Sequence, residues 1–276
     1  MRVAGLELSD VAQVTGGDIS PAFRATVDGQ AVFAKHDERA PAGMFLAEAR
    51  GLDRLRDAGG PPVPRVLAVD ETGIVLEWLE AGPPTQDAAA RFGRELAALH
   101  RAGDADFGAD RPGFLATIPL DNTAAADWAT FYATRRLVPL LDAATRRGAV
   151  DADDAAVITR VIDRLPELCG PPEQPALIHG DLWSGNLLWA AHGRVWLVDA
   201  ASAHHGHRET DLAMLALFGA PHLEHIVASY DAAFPLAAGW RQRVPLHQLF
   251  PLLAHAVLFG RGYGARAAAV ALAVDG

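Results

Sequence analysis

The chain has 276 residues, half of them hydrophobic, enough to build one large domain or two lobes and too apolar for wholesale disorder. Its formal net charge of −10, with no block of like charge, argues against a nucleic-acid partner, and no run of 18 apolar residues predicts a membrane span. A single cysteine, Cys169, excludes an intrachain disulfide, and residues 1–10 lack the apolar run of a signal peptide, so a cytoplasmic protein is expected.

In chain order, Phe23 to Val27 and Ala31 to Lys35 flank Asp28-Gly29, a hairpin signal. Gly43 to Asp57 predicts a helix, stopped by Gly59-Gly60-Pro61-Pro62. Val66 to Val69 and Gly73 to Leu79 predict two further strands. Gly82-Pro83-Pro84 then breaks the pattern, and helices are expected over Thr85 to Arg101, Thr123 to Arg147 and Asp151 to Cys169. Leu187 to Trp189 and Arg194 to Val198 predict a short hairpin around His192-Gly193. Helices resume near Thr210 and run in pieces to the end. The sum is an α+β, two-lobed protein, with a small β-rich lobe at 1–80 and a larger α-helical lobe at 81–276. A ligand cleft is expected between the lobes.

The chemistry concentrates in His179-Gly180-Asp181-Leu182-Trp183-Ser184-Gly185-Asn186. An acid stands five residues before a carboxamide, an apolar strand follows, and Asp199 ends it. That is the order in which a protein-kinase-like site supplies a base and two metal ligands. A carboxylate at Asp181 can orient a hydroxyl and take its proton. Asn186 and Asp199 are oxygen ligands of the kind Mg²⁺ prefers. In isolation Asp181 would read as a turn or cap residue and Asp199 as a strand terminator; the spacing of the three favours a site. His179 is expected to brace the loop, and Asp211 to cap a helix or brace the same loop.

Of 24 Lys and Arg residues, Lys35 is the one lysine. A strand lysine that reaches the α- and β-phosphates needs a helix glutamate, and Glu48 shares an apolar stripe with Phe45, Leu52 and Leu55. The other partner set for Glu48 is Arg50 or Arg54 at the surface. A compact ammonium is not interchangeable with a guanidinium in a tight phosphate site, which accounts for a lysine in an arginine-rich chain. Gly16 and Gly17, in Thr15-Gly16-Gly17-Asp18-Ile19-Ser20, are candidates to cradle phosphate through backbone amides, although no G-x-G-x-x-G is present. The absence of G-x-x-x-x-G-K-[ST] excludes a P-loop kinase. Glu77, Trp78 and Leu79 end the last strand before the crossing, where adenine would meet backbone groups. The run His204-His205-Gly206-His207 lacks partners at metal-ligand spacing and reads as a substrate-side loop.

These residues resemble the fructosamine kinase, or ketosamine kinase, family within the aminoglycoside phosphotransferase-like branch of the protein-kinase fold. The resemblance covers most of the chain. It is carried by His179 to Asn186 through Trp183-Ser184, by Ile118 to Asn122 with Asp127-Trp128, Phe131-Tyr132 and Arg135-Arg136-Leu137-Val138-Pro139, and by Gly206 to Met214. It implies a two-lobed kinase that uses ATP and Mg²⁺ to phosphorylate a sugar hydroxyl of a ketosamine. The phosphorylated adduct then breaks down and frees the amine, a deglycation repair role. Asp181 would be the base and Glu77 to Leu79 the adenine segment. Trp183, Asp121, Asn122, His205 and His207 are the candidates for binding the acceptor, either a small ketosamine or a glycated amine on a protein. Ala200 stands where the family often has Pro, Leu120 where Gln is common, and Gly16 to Ser20 holds no cysteine for a redox switch. Two rival readings remain: a kinase for an aminoglycoside or amino alcohol, and a catalytically silent ATP-binding regulator.

Overall fold

The computed structural model describes residues 1–14 and 20–276, so Gly16 and Gly17 lie outside the described residues. A short hairpin, β1 (Arg2–Val3) and β2 (Leu6–Glu7), precedes an exposed strand, β3 (Ser9–Gln13). The predicted hairpin follows as β4 (Ala22–Val27) and β5 (Gln30–His36), joined by Asp28 and Gly29, both at positive φ (49° and 80°), as a two-residue I′-type turn demands. Helix α1 (Met44–Asp57) then crosses the sheet, and β6 (Val66–Val69) and β7 (Gly73–Glu77) complete it. The five strands lie in the order β3-β4-β5-β7-β6, all neighbours antiparallel. β3 escaped the sequence reading because every residue of Ser9-Asp10-Val11-Ala12-Gln13 is exposed: it is held by backbone pairing and has no apolar alternation to betray it.

α1 buries Phe45, Leu52 and Leu55 completely, each contributing about 1.5–3 kcal/mol of transfer free energy. The same stripe buries Glu48. The chain leaves the sheet over Glu80 to Gly82 and is tied to the second lobe at once: the Ala191 amide donates to the Glu80 carbonyl (3.0 Å) and the Gly82 amide to the Trp189 carbonyl (2.7 Å). A side chain at Gly82 would come within 2.6 Å of Ala191 Cα, so this crossing requires glycine.

The second lobe is built on α2 (Gln86–His100), whose first turn is capped by Thr85 Oγ1 accepting from the Ala88 amide (3.2 Å). A hairpin that the sequence did not reveal, β8 (Gly113–Leu115) and β9 (Ile118–Leu120), comes next. The helix expected over 123–147 starts later and is divided. α3 (Trp128–Tyr132) begins at the Asp127 cap, passes through a π-helical turn at Ala133–Leu137, and continues as α4 (Val138–Arg146). Pro139 cannot donate to the Arg135 carbonyl four residues back; the Arg136 guanidinium donates to it instead (3.0 Å). Pro166 likewise splits the next predicted helix into α5 (Ala152–Asp163) and α6 (Leu165–Leu168).

β10 (Ala176–Ile178) leads into the acidic loop, and β11 (Leu187–Trp189) and β12 (Val195–Leu197) form the predicted hairpin after it. β13 (His204–Gly206) returns antiparallel to β10. Helices α7 (Glu209–Phe218), α8 (Leu223–Ala233), α9 (Trp240–Phe259) and α10 (Arg261–Asp275) close the lobe. One core cluster joins α1 and the sheet to α2, the β11–β12 hairpin and α8, so the two lobes share apolar packing behind the cleft. A second lies among α3, α4, α5, α7, α9 and α10. No helix among the described residues is long and apolar enough to cross a membrane.

Candidate active site

The sheet delivers Lys35 near the end of β5, and α1 delivers Glu48 opposite. Lys35 Nζ donates to both Glu48 oxygens (2.9 and 3.1 Å), and all but a twelfth of either residue is buried. Nζ also donates to Asp199 Oδ1 from the other lobe. One ammonium thus holds two carboxylates, as a buried acid on an apolar helix face requires. Asp199 follows β12 in a left-handed backbone conformation (φ 60°), unusual for a residue other than glycine.

Asp181 sits in the loop between β10 and β11. The Asn186 Nδ2 group donates to the Asp181 carbonyl (2.8 Å) and to Asp181 Oδ2 (3.1 Å). The carboxamide is thereby oriented with its nitrogen toward Asp181, and its Oδ1 is left as the donor atom for an ion. Burial pushes the Asp181 carboxyl up to about 7, against the lowering effect of the Asn186 hydrogen bond. A cation beside Asn186 and Asp199 would oppose that rise.

The loop is braced from below. Asp211, fully buried on α7, accepts from the His179 amide (2.8 Å) and the Gly180 amide (3.0 Å) and pairs with His100 Nε2 (3.2 Å). Burial alone would raise the Asp211 carboxyl, but the hydrogen bond and charge of His100, and then His179, outweigh it and hold it below the ordinary value. His179 Nε2 pairs with the Val198 carbonyl (2.8 Å), while the Asp181 amide donates to Nδ1 (3.3 Å). The proton therefore belongs on Nε2, and burial keeps this imidazole neutral, its pKa lowered. His179 ties the Asp181 loop directly to the residue before Asp199.

One cavity of about 680 Å³ is lined by Lys35, Glu48, Asp181, Asn186 and Asp199. The same cavity is lined by Trp183, Phe218, His255, Phe259 and Tyr263. Sequence reasoning missed the last four. His255, Phe259 and Tyr263 recur at four-residue intervals through the end of α9 and the start of α10, a pattern that by itself looks like core packing.

Not all candidates meet here. Of the five acceptor-side residues, Trp183 alone lines the cavity. Asp121 Oδ1 accepts from the Thr123 amide (2.8 Å) and hydroxyl (2.6 Å), which hold its carboxyl below the ordinary value. Asn122 is buried with Oδ1 on Arg136 Nη2 (2.6 Å). His205 lies between Arg54 (3.3 Å) and Asp104 (3.4 Å). His207 is enclosed by Trp128 and His247, with ring centroids at 5.6 and 4.8 Å. The Glu77 carboxylate turns to Arg65, accepting from its amide (2.9 Å) and Nε (3.1 Å), and none of Glu77, Trp78 and Leu79 lines the cavity. Trp78 Nε1 donates to Glu80 (2.8 Å). No backbone partner among the described residues takes the Trp78 or Leu79 amide.

His207, Glu209 and His247 bring three possible ligand atoms within 4.8 Å of one another. Arg243 already takes both Glu209 oxygens (2.9 and 2.6 Å), so the group is a buried ion-pair network and not a cation site.

The family model for fructosamine kinase matches residues 2–273. The chain is 38% identical over 264 residues to a probable ketoamine kinase of Thermus thermophilus, covering 95% of this chain and 94% of the relative. The crystal structure of a candidate fructosamine-3-kinase from Thermobifida fusca superposes with a TM-score of 0.92 at 44% identity, covering 99% and 95% of the two chains. A thermostable mutant of an aminoglycoside phosphotransferase, solved with ADP and hygromycin B, superposes with a TM-score of 0.66 at 18% identity over 98% and 96%, a likeness of fold alone.

Proposed function

The chain belongs to the fructosamine kinase family, and on that premise we propose that it transfers the γ-phosphoryl group of ATP to a sugar hydroxyl of a ketosamine, as a step in deglycation. It is a phosphotransferase with an alcohol acceptor. The observation that carries the reading is the single lysine held between Glu48 and Asp199, with Asp181 and Asn186 lining the same cavity.

In this reading residues 1–80 are the nucleotide lobe and 81–276 the catalytic lobe. Adenine bonds to the backbone of Glu77, Trp78 and Leu79, the Glu77 and Trp78 side chains being engaged with Arg65 and Glu80, and Gly16 and Gly17 contribute amides to the phosphates. Lys35 Nζ reaches the α- and β-phosphate oxygens while Glu48 keeps it extended. The oxygen-only donor pair of Asn186 Oδ1 and Asp199 fits Mg²⁺, and the committed Asn186 nitrogen leaves the right atom free. Mg²⁺, when bound, neutralises charge on the phosphate oxygens.

Asp181 orients the acceptor hydroxyl with the oxygen not held by Asn186. As the hydroxyl oxygen forms its bond to the γ-phosphorus, the bridging bond to the β-phosphate oxygen breaks, ADP departs, and the proton passes to Asp181. Charge neutralisation near Asn186 and Asp199 keeps Asp181 ionised for that role. The aromatic wall from Trp183 to Tyr263 excludes water from the acceptor side and suits the apolar faces of a sugar and its amine-borne chain.

The test is ATP consumption with ribulose-, erythrulose- and fructose-lysine, free and on protein, beside an aminoglycoside and an amino alcohol. Turnover with a ketosamine is the expected result. Turnover with the aminoglycoside or amino alcohol alone would move the acceptor to that class. Nucleotide binding without turnover of any acceptor would leave a silent regulator.

A further inference from the structure

Three glycines from three different elements close on three successive carbonyl groups, those of Ala200, Ala201 and Ser202, immediately after Asp199. Gly51 lies inside α1, one turn beyond Glu48, and the Ala200 oxygen stands where a side chain at 51 would begin. A Cβ on Gly113 of β8 would come within 2.7 Å of the Ala201 oxygen, and one on Gly180, between His179 and Asp181, within 2.6 Å of the Ser202 oxygen. These are backbone atoms, which cannot swing aside as a flexible side chain can. Such approaches bring Cα–H groups onto carbonyl oxygens, a weak attraction that only glycine allows at this range. Each carbonyl also accepts one conventional hydrogen bond: Ala200 from the Ala203 amide (3.1 Å), Ala201 from the Phe114 amide (2.9 Å), Ser202 from His204 Nδ1 (2.7 Å). The Ser202 hydroxyl donates to the Phe114 carbonyl (2.8 Å).

Local structure gives no reason for glycine at 51, since a helix interior disfavours it. Its neighbours in α1 are helix formers, and the stripe around it is core. The common factor among the three glycines is the peptide they grip.

We infer that Gly51, Gly113 and Gly180 are positioning residues that register three parts of the site on residues 200–202. Gly51 fixes the height of α1 and so of Glu48 and Lys35. Gly113 fixes Phe114, which lines the cavity, and Gly180 fixes the loop that carries Asp181. Asp199, one residue before the gripped peptide, is set by all three. Lys35, Glu48, Asp181 and Asp199 are thereby aligned by backbone packing rather than by a segment that must first be ordered. A displacement of about 1 Å at such groups is enough to lose on the order of 10²-fold in rate. The inference rests on the kinase reading for its catalytic consequence, but the grip itself is a statement about packing.

The test compares wild type with Gly51→Ala and Gly113→Ala, with Ile158→Ala, in the core on α5, a helix that contributes no residue to the cavity lining, as a stability control. Gly180→Ala is set aside because its positive φ (79°) would add backbone strain. Amide exchange is read at Ala203 and Phe114, and kcat and KM for ATP are measured well below each variant's Tm. The expected result is faster exchange at Ala203 in Gly51→Ala and at Phe114 in Gly113→Ala, with kcat reduced at least about 10-fold. Ile158→Ala should lower Tm while leaving those amides protected and kcat within about twofold. If Gly51→Ala does not fold, Gly113→Ala with its milder overlap decides the same question. Protected amides and unchanged kcat in a folded glycine variant, or a loss of kcat that merely follows Tm across all variants, would overturn the inference. Absence of ketosamine turnover in wild type would sink the functional reading instead, and the exchange data would still decide the grip.

Discussion

Asp181 and Lys35 carry opposite lessons about single residues. Asp181 is held by Asn186 through one oxygen, so replacing it by asparagine preserves shape and removes the carboxylate proposed as proton acceptor. Asp181→Asn should lower kcat by at least about 10²-fold with ATP affinity retained, as read by steady-state kinetics beside calorimetric nucleotide binding. Near-normal turnover would refute the assignment of the base. Lys35 is a point charge between two carboxylates in a space closed by Phe45 and the sheet. Lys35→Arg keeps the charge but brings a broad planar fork that cannot fit between Glu48 and Asp199 without moving α1. Activity should fall at least about 10-fold, and wild-type kinetics would contradict this account of the one lysine. Both residues stand out in the sequence through short spacings or a compositional exception, and these variants test the roles proposed for them. Asp121, Asn122, His205 and His207 were legible as a pattern, but side-chain partners turned them away from the cleft.

At the scale of elements, the segment from Asp121 to Arg146 shows how a family-like motif can serve structure. Asp127 Oδ1 caps α3 at the Thr130 amide (2.8 Å), and Arg136, buried to 1% exposure, donates to Asn122 Oδ1 and to the Asp121 carbonyl (2.7 Å) while its guanidinium lies over Phe131. The π-helical turn is what carries Arg136 inward. Asp127→Ala should cost about 1 kcal/mol, the usual value of a lost N-cap, measured by urea unfolding. Arg136→Ala should cost about 3 kcal/mol or more because it also leaves buried Asn122 without its partner. Equal, small losses in the two would show that Arg136 is not the anchor of this segment. The sequence announced helix here and concealed the bulge, since Pro139 acts through a hydrogen bond it cannot make.

Across the whole molecule, buried neutral histidines set a pH dependence. Burial, with Arg136 close by, holds His204 well below the ordinary imidazole range, and burial with His247 does the same for His207. Asp104, Glu173, Glu209, Arg54 and Arg243 are the other charged groups facing this pair or their neighbours. With folded pKa values depressed, the unfolded chain binds more protons than the native one below about pH 6.5, so stability falls as pH drops through that value. The two histidine sites lose stability between pH 7 and pH 5.5, while the raised Asp181 carboxyl contributes with the opposite sign over the same range. Urea midpoints across that range give the measurement, and His204→Gln should flatten the slope; an unchanged slope would place the dependence elsewhere.

Much of the molecule could be read before any coordinates. The two-lobed α+β architecture follows from strands punctuated by Asp28-Gly29 and Gly82-Pro83, and the phosphoryl-transfer chemistry from Asp181, Asn186 and Asp199 at fixed spacing, because these depend on backbone preference and on the donor atoms themselves. The β3 edge strand, the β8–β9 hairpin and the split helices escaped because backbone pairing, caps and prolines act through hydrogen bonds that leave no apolar periodicity in the sequence. Tertiary structure alone brought Phe218, His255, Phe259 and Tyr263 into the cavity that Asp181 lines, withdrew His207 into the core, and set Gly51, Gly113 and Gly180 against the peptide after Asp199. Sequence carries chemical identity and local propensity; which faces share a cavity is decided by packing, a sum over contacts between residues distant in the chain.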